Sequence, residues 1–159
     1  MGAPVAQGAV SSMVSTRVSK SLGQNSAMAH NDGSAPTLAD VMEQHPQLNN
    51  FGIGAFDAHK KTPAQRNTEI AAGRDVLLRN EHIVKQLVEW LEENVSLIQT
   101  PTQDSYRVKG LIERSRGEYI TNGDLIAAAL IVGYPYEYDA PNVLFGMSQR
   151  DLDRAVKAQ

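Results

Sequence analysis

The sequence contains no cysteine. That excludes disulfide scaffolds, thiolate metal sites and cysteine nucleophiles together. Aromatic residues are few, with three Phe, one Trp and five Tyr, so a core must be built chiefly from aliphatic side chains. No apolar run approaches the roughly 18 residues of a membrane span. Neither sign of charge prevails: 15 basic against 18 acidic residues leave −3 at pH 7. This is too mild a balance to imply nucleic acid, a membrane surface or a cationic partner by itself. Catalytic signatures are missing as well: there is no Gly-x-x-x-x-Gly-Lys-Ser/Thr, no Gly-x-Ser-x-Gly and no His-Glu-x-x-His. Gly52-Ile53-Gly54 lacks the third glycine and the preceding strand of a dinucleotide loop. Met1-Gly2-Ala3-Pro4-Val5-Ala6 lacks the Ser or Thr of a myristoylation site at its sixth position. No apolar stretch follows Arg17, the first positive charge, so no secretory signal is expected.

What is present is an ordinary single-domain composition. The 159 residues are 42% hydrophobic and 21% charged, enough to bury a core and too apolar for a wholly disordered chain. Residues 1–36 stand apart. Ser, Ala, Gly, Asn and Gln dominate, the only charges are Arg17, Lys20 and Asp32, and no aromatic occurs. Val10, Met13, Val14, Val18 and Leu22 are too sparse to offset chain entropy alone, so this segment reads as an arm that waits for a partner surface.

Helix signals fill residues 37–159. Thr37 with Asp40 resembles a capping box, and Pro46 ends the short helix that follows. Residues 46–61 read as a loop, with Phe51 and Phe56 as a hydrophobic clip. Thr62-Pro63-Ala64-Gln65 combines an N-cap, a proline at N1 and a Gln at N3. The helical pattern then runs to about Gln99, with Gly73 as a point where it can split. Val84, Val88, Leu91, Val95 and Ile98 alternate at four and three, a heptad seam, and Ile83, Leu87, Trp90 and Leu97 widen it. Such a helix is expected to lie centrally in a bundle, with an oligomer seam as the other reading. Asp104 caps a helix over 105–116, stopped by Gly117; Thr121 and Asp124 cap an almost wholly apolar one over 122–132. Tyr134 to Pro141 is an aromatic link, Val143-Leu144-Phe145 is a stub of strand or a turn, and Ser148 starts a last helix over 149–157. Alternation is too sparse for a sheet. The expected fold is all-α: a compact helical bundle around one long central helix (about 63–99), with a helical hairpin at 105–132 and an extended arm in front.

Chemistry is thin. The four histidines, His30, His45, His59 and His82, never pair at helical spacing, and Asp57-Ala58-His59 needs a third group to act. Helices 105–116 and 122–132 invite a helix-turn-helix reading, but the second offers only Asn122 and Asp124 before eight apolar residues. No cofactor, metal or catalytic activity is expected. The expectation is a non-catalytic structural or interaction protein, a small subunit of a larger assembly such as a virion-like particle, by analogy at the level of fold. Its partners are other protein subunits, itself included, with no membrane. Partner contacts fall to Val10, Met13, Val14, Val18 and Leu22 in the arm and to Tyr134, Tyr136 and Tyr138. Tyrosine at that loop also suits an inhibitor of a host enzyme. The alternative is a small nucleic-acid-associated or regulatory protein using the basic face Arg107, Lys109, Arg114 and Arg116, with tyrosines near by. The expected location is the cytoplasm, or a particle assembled there.

Overall fold

The computed structural model describes residues 34–158. Among them are six α-helices, and five begin on a side chain that accepts the N3 backbone N–H, one of the donors a helix start leaves unpaired. Thr37 opens α1 (Leu38–Gln44), Thr62 opens α2 (Pro63–Arg79) and Thr121 opens α5 (Asn122–Val132), in reciprocal boxes with Asp40, Gln65 and Asp124. Asp104 caps α4 (Ser105–Arg116), and Ser148 caps α6 (Gln149–Lys157). Gly117 ends α4 at φ 72°, in the left-handed region where a β-carbon is strained.

The exception is α3 (Glu81–Asn94), which follows α2 after a single residue. Asn80 donates its N–H to the carbonyls of Val76 and Leu77, while its own carbonyl accepts from Ile83 and Val84. Its side chain leaves the helix end and reaches Asp124, 3.3 Å from each carboxylate oxygen. The long helix expected over 63–99 is therefore two helices, divided at Asn80 and not at Gly73. It also stops early. Ser96 donates its N–H to the Asp151 carboxylate at 2.8 Å, and Ile98 donates to the Gly146 carbonyl at 2.9 Å. Those bonds to a distant segment replace helical ones, and Leu97 and Ile98 end on the surface.

Two small antiparallel sheets correct the all-α expectation. With 58% of the described residues helical and 13% in strands, the fold is mixed α/β. Strands β1 (Leu48–Asn49) and β2 (Gly52–Ile53) form a short hairpin inside the loop that follows α1. Strands β3 (Gln103–Asp104), β4 (Tyr136–Asp139) and β5 (Asn142–Phe145) form a second sheet in the order β3-β5-β4. Elements of two to four residues contain at most two turns of the strand period, and β3 meets β5 across a long stretch of chain. Local alternation cannot reveal such a sheet.

The central element is α5, not the α2–α3 segment. Every residue from Asn122 to Leu130 is buried, and α1, α3, α4 and the strands β1, β2 and β5 all pack on it. The reason is compositional: Leu125-Ile126-Ala127-Ala128-Ala129-Leu130 is apolar on every side, and its alanines let neighbours approach closely. In contrast α3 is one-sided, with Val84, Leu87 and Leu91 facing inward and Lys85, Gln86 and Glu89 outward. Leu77, Leu87, Leu91, Leu125 and Leu152 have no exposed surface, and each such burial contributes roughly 2 kcal/mol. The seam residues Val84, Leu91 and Val95 thus pack within residues 37–159, which form one compact unit.

Candidate interaction surface

The hairpin of β4 and β5 is closed by the two-residue turn Ala140-Pro141. In such a hairpin the flanking pair, Asp139 with Asn142, exchanges the backbone hydrogen bonds, and pairs alternate from there. Glu137 and Asp139 therefore bond to β5, and the backbone N–H and C=O groups of Tyr136 and Tyr138 point away from it. The bonds of the opposite residues agree with this. Val143, across from Tyr138, donates its N–H to Ser105 Oγ at 3.1 Å, and the Phe145 carbonyl, across from Tyr136, accepts from Thr102 at 3.1 Å. Among the described residues no strand lies beyond β4, and all four of its residues are exposed.

The two faces of this sheet differ. Tyr136 and Tyr138 share the inner face with Phe145 and Val143, and beneath them lies His45, the residue that ends α1. The His45 ring sits edge-on to Tyr136 and Tyr138, with centroids 5.5 and 5.8 Å away, and its Nδ1 shares a hydrogen bond with the Tyr138 hydroxyl. Burial lowers the His45 pKa to about 4 and raises the Tyr136 and Tyr138 hydroxyls above the usual tyrosine range. The negative charge that Tyr136 would carry raises Tyr138 further. About half of each tyrosine, 47% and 48%, remains open to solvent. The outer face carries Glu137, Asp139 and Asp104 around Leu144, with no Lys or Arg on any of the three strands.

Arg74 of α2 holds the base of this arrangement. Its guanidinium donates to the carbonyls of Met42, His45, Pro46 and Leu48, at 2.9 to 3.1 Å. A helix C-terminus leaves its last carbonyls unpaired and slightly negative, and a forked cation satisfies both needs. At the other side, the β1–β2 hairpin is fastened to the start of α5. Gly123 donates its N–H to the Asn50 carbonyl at 3.0 Å, and a β-carbon there would lie 2.0 Å from the Asn49 carbonyl oxygen. Burial raises the pKa of Asp124 next to it, while hydrogen bonds from Thr121 and Asn80 oppose that shift.

The other expected site residues are placed differently. Tyr134 is buried, and its hydroxyl lies 2.6 Å from the Val95 carbonyl and 3.2 Å from that of Leu91, so it fastens the end of α3 and is absent from the surface. Val10, Met13, Val14, Val18 and Leu22 lie outside the described residues. Tyr106 and Tyr119 lie on the α4 side, exposed, with the Lys109 ammonium 5.1 and 5.5 Å from their ring centres. Lys109 is already paired with Glu113 at 2.9 Å, Arg107 with Gln103 at 2.7 Å, and Arg116 with Glu118 at 2.8 Å and Gln86 at 3.2 Å. Arg114 is exposed. The clip is formed by Leu48 and Ile53, whereas Phe51 and Phe56 stack edge-to-face on each other, with Phe56 at the surface. Beside them an open recess contains Glu69, which pairs with Lys61. Asp57, at φ 49°, approaches Lys60 at 3.8 Å, and His59 is exposed. Among the described residues no group of three His, Asp or Glu side chains could hold a metal ion.

His45 and Arg74 are the residues that sequence reasoning missed. The sequence marks His45 only as the end of a capped helix before Pro46, and nothing in it connects that position to Tyr138. Compared with known proteins, the chain matches no family model, no curated protein and no solved structure. No helix among the described residues is long and apolar enough to cross a membrane.

Proposed function

We propose that this chain is a non-catalytic interaction protein, a small subunit of a larger assembly built in the cytoplasm, with a virion-like particle as the favoured kind. Its described contact surface is the β4 edge. The observation that supports this reading is the pair Tyr136 and Tyr138: half-exposed aromatic rings on a sheet edge, held in place from below by His45. Aromatic anchors fixed in advance lose little entropy on contact, which suits them to protein interfaces. The test is sedimentation of the full chain in the cells that produce it, beside the variant Tyr136→Ala/Tyr138→Ala. Wild type is expected in a fast-sedimenting particle, and the double variant as a folded free chain. A wild type that sediments only as free chain, or a variant that still enters the particle, refutes the reading.

A nucleic-acid role for α4 has one observation in its favour, the two exposed rings of Tyr106 and Tyr119, which could stack on bases. It requires binding that weakens steeply with salt and disappears in Arg107→Glu/Lys109→Glu. Retained binding in that variant eliminates it.

A further inference from the structure

We infer that the outer edge of β4, which no other described strand pairs, is a docking site for an extended, basic peptide strand of a partner protein, which adds to the sheet beside Tyr136–Asp139. The inference rests on the interaction reading above and names the partner's chemistry. Two features converge on it. First, the outward N–H and C=O groups of Tyr136 and Tyr138 form a short, ready pairing edge, and strand addition uses such groups. Second, the side chains beside that edge are of one kind on each face. The outer face offers the carboxylates of Glu137 and Asp139, and among the described residues neither has a cation within salt-bridge reach. The inner face offers the two tyrosine rings.

The same pattern selects among occupants. Residues paired across adjacent strands share a face. When β4 pairs antiparallel with a second copy of itself and the tyrosines stay on the inner face, every register that pairs more than one residue of the strand puts Glu137 or Asp139 opposite Glu137 or Asp139. Like charges directly opposite are destabilising, so the edge rejects its own copy. Phosphate-bearing partners meet the same carboxylates and are repelled. A strand that alternates lysine or arginine with apolar residues meets both faces correctly: its cations lie across from Glu137 and Asp139, and its apolar residues lie across from Tyr136 and Tyr138. The apolar residues are then the ones that exchange backbone bonds with the tyrosines. Four backbone hydrogen bonds are too few to select a partner, so the carboxylates must supply the selectivity.

The test is amide hydrogen exchange, read by NMR on the full chain, with a capped peptide of alternating lysine and valine as probe. With peptide at about ten times its Kd, exchange at Tyr136 and Tyr138 is expected to slow about tenfold, because about nine-tenths of the edges are covered. Exchange at residues of α4 is expected to stay unchanged. The same peptide N-methylated at its valines lacks the donors and is expected to give no slowing, as is a glutamate–valine peptide. The variant Glu137→Lys/Asp139→Lys is expected to reverse the preference and take the glutamate peptide. No slowing at millimolar lysine–valine peptide overturns the inference, as does equal binding of the N-methylated peptide. So does a concentration-dependent dimer that protects the same amides without peptide. Failure of the particle assay with strand pairing intact would end the subunit reading and leave this docking site standing.

Discussion

The buried imidazole of His45 makes the stability of this protein depend on pH in a way that can be worked out beforehand. The group is 5% exposed, and burial lowers its pKa from 6.5 to about 4. In the unfolded chain the same histidine binds a proton near pH 6.5. Between those two values the unfolded chain holds the extra proton, so stability is fully present above about pH 6.5 and declines as the pH falls toward 4. A shift of this size corresponds to roughly 3 kcal/mol, most of it, about 2–3 kcal/mol, lost between pH 7 and pH 4.5. The slope in the middle of the window approaches one proton, or about 1.4 kcal/mol per pH unit. Urea unfolding at a series of pH values measures it, with His45→Gln as the reference chain. Asp124, whose raised pKa gives a contribution of opposite sign that is lost as the pH rises, is common to both chains and cancels in the difference. The His45→Gln curve is expected to lack this slope. Parallel curves for the two chains would refute the reasoning, and so would a native His45 ring that titrates near 6.5 by NMR.

Three further outcomes follow from the packing. Tyr138→Phe removes the hydrogen-bond partner of a buried ring nitrogen and is expected to cost about 1–3 kcal/mol in urea unfolding, with the His45 ring resonances shifted. Arg74→Lys keeps the charge but cannot reach four carbonyls at once, so it is expected to lose about 2–4 kcal/mol and to be no better than Arg74→Met; a neutral Arg74→Lys would show that the fork is idle. Gly123→Ala drives a β-carbon into the Asn49 carbonyl and is expected to lower stability by at least about 3 kcal/mol, read as a fall in thermal midpoint, whereas Gly110→Ala, inside α4 with its nearest neighbour at 3.6 Å, is expected to be neutral or to stabilise by up to about 1 kcal/mol.

Local chemistry was legible wherever a few adjacent residues decide a structure by themselves. Thr37, Thr62, Asp104, Thr121 and Ser148 accept the hydrogen bonds that their types and spacing imply, because a cap and its target lie three residues apart. Gly117 is equally local, since its left-handed backbone depends on little beyond the missing side chain. Burial of the apolar run after Asp124 was also readable, as a helix with no polar face has only the interior to occupy. The candidate surface was legible in part: Tyr136 and Tyr138 are open to contact, but Tyr134, two residues away, faces inward, and the hydroxyl it buries against Val95 depends on where α3 ends.

Periodicity misled where long-range bonds compete with local ones. The heptad spacing continues through Leu97 and Ile98, yet the chain there leaves the helix because Asp151 and Gly146 offer it hydrogen bonds from elsewhere. The break at Asn80 has the same origin, for its side chain turns to Asp124 on another helix. What the amino-acid sequence by itself determined is the five capped helix starts, the stop at Gly117 and the burial of the apolar run after Asp124, all governed by interactions within a few residues. Only the tertiary structure decided the sheets, the centre of the core, and the meeting of His45, Arg74 and Tyr138. Each of these joins segments far apart in the chain, and the energy that selects them exists only once those segments touch.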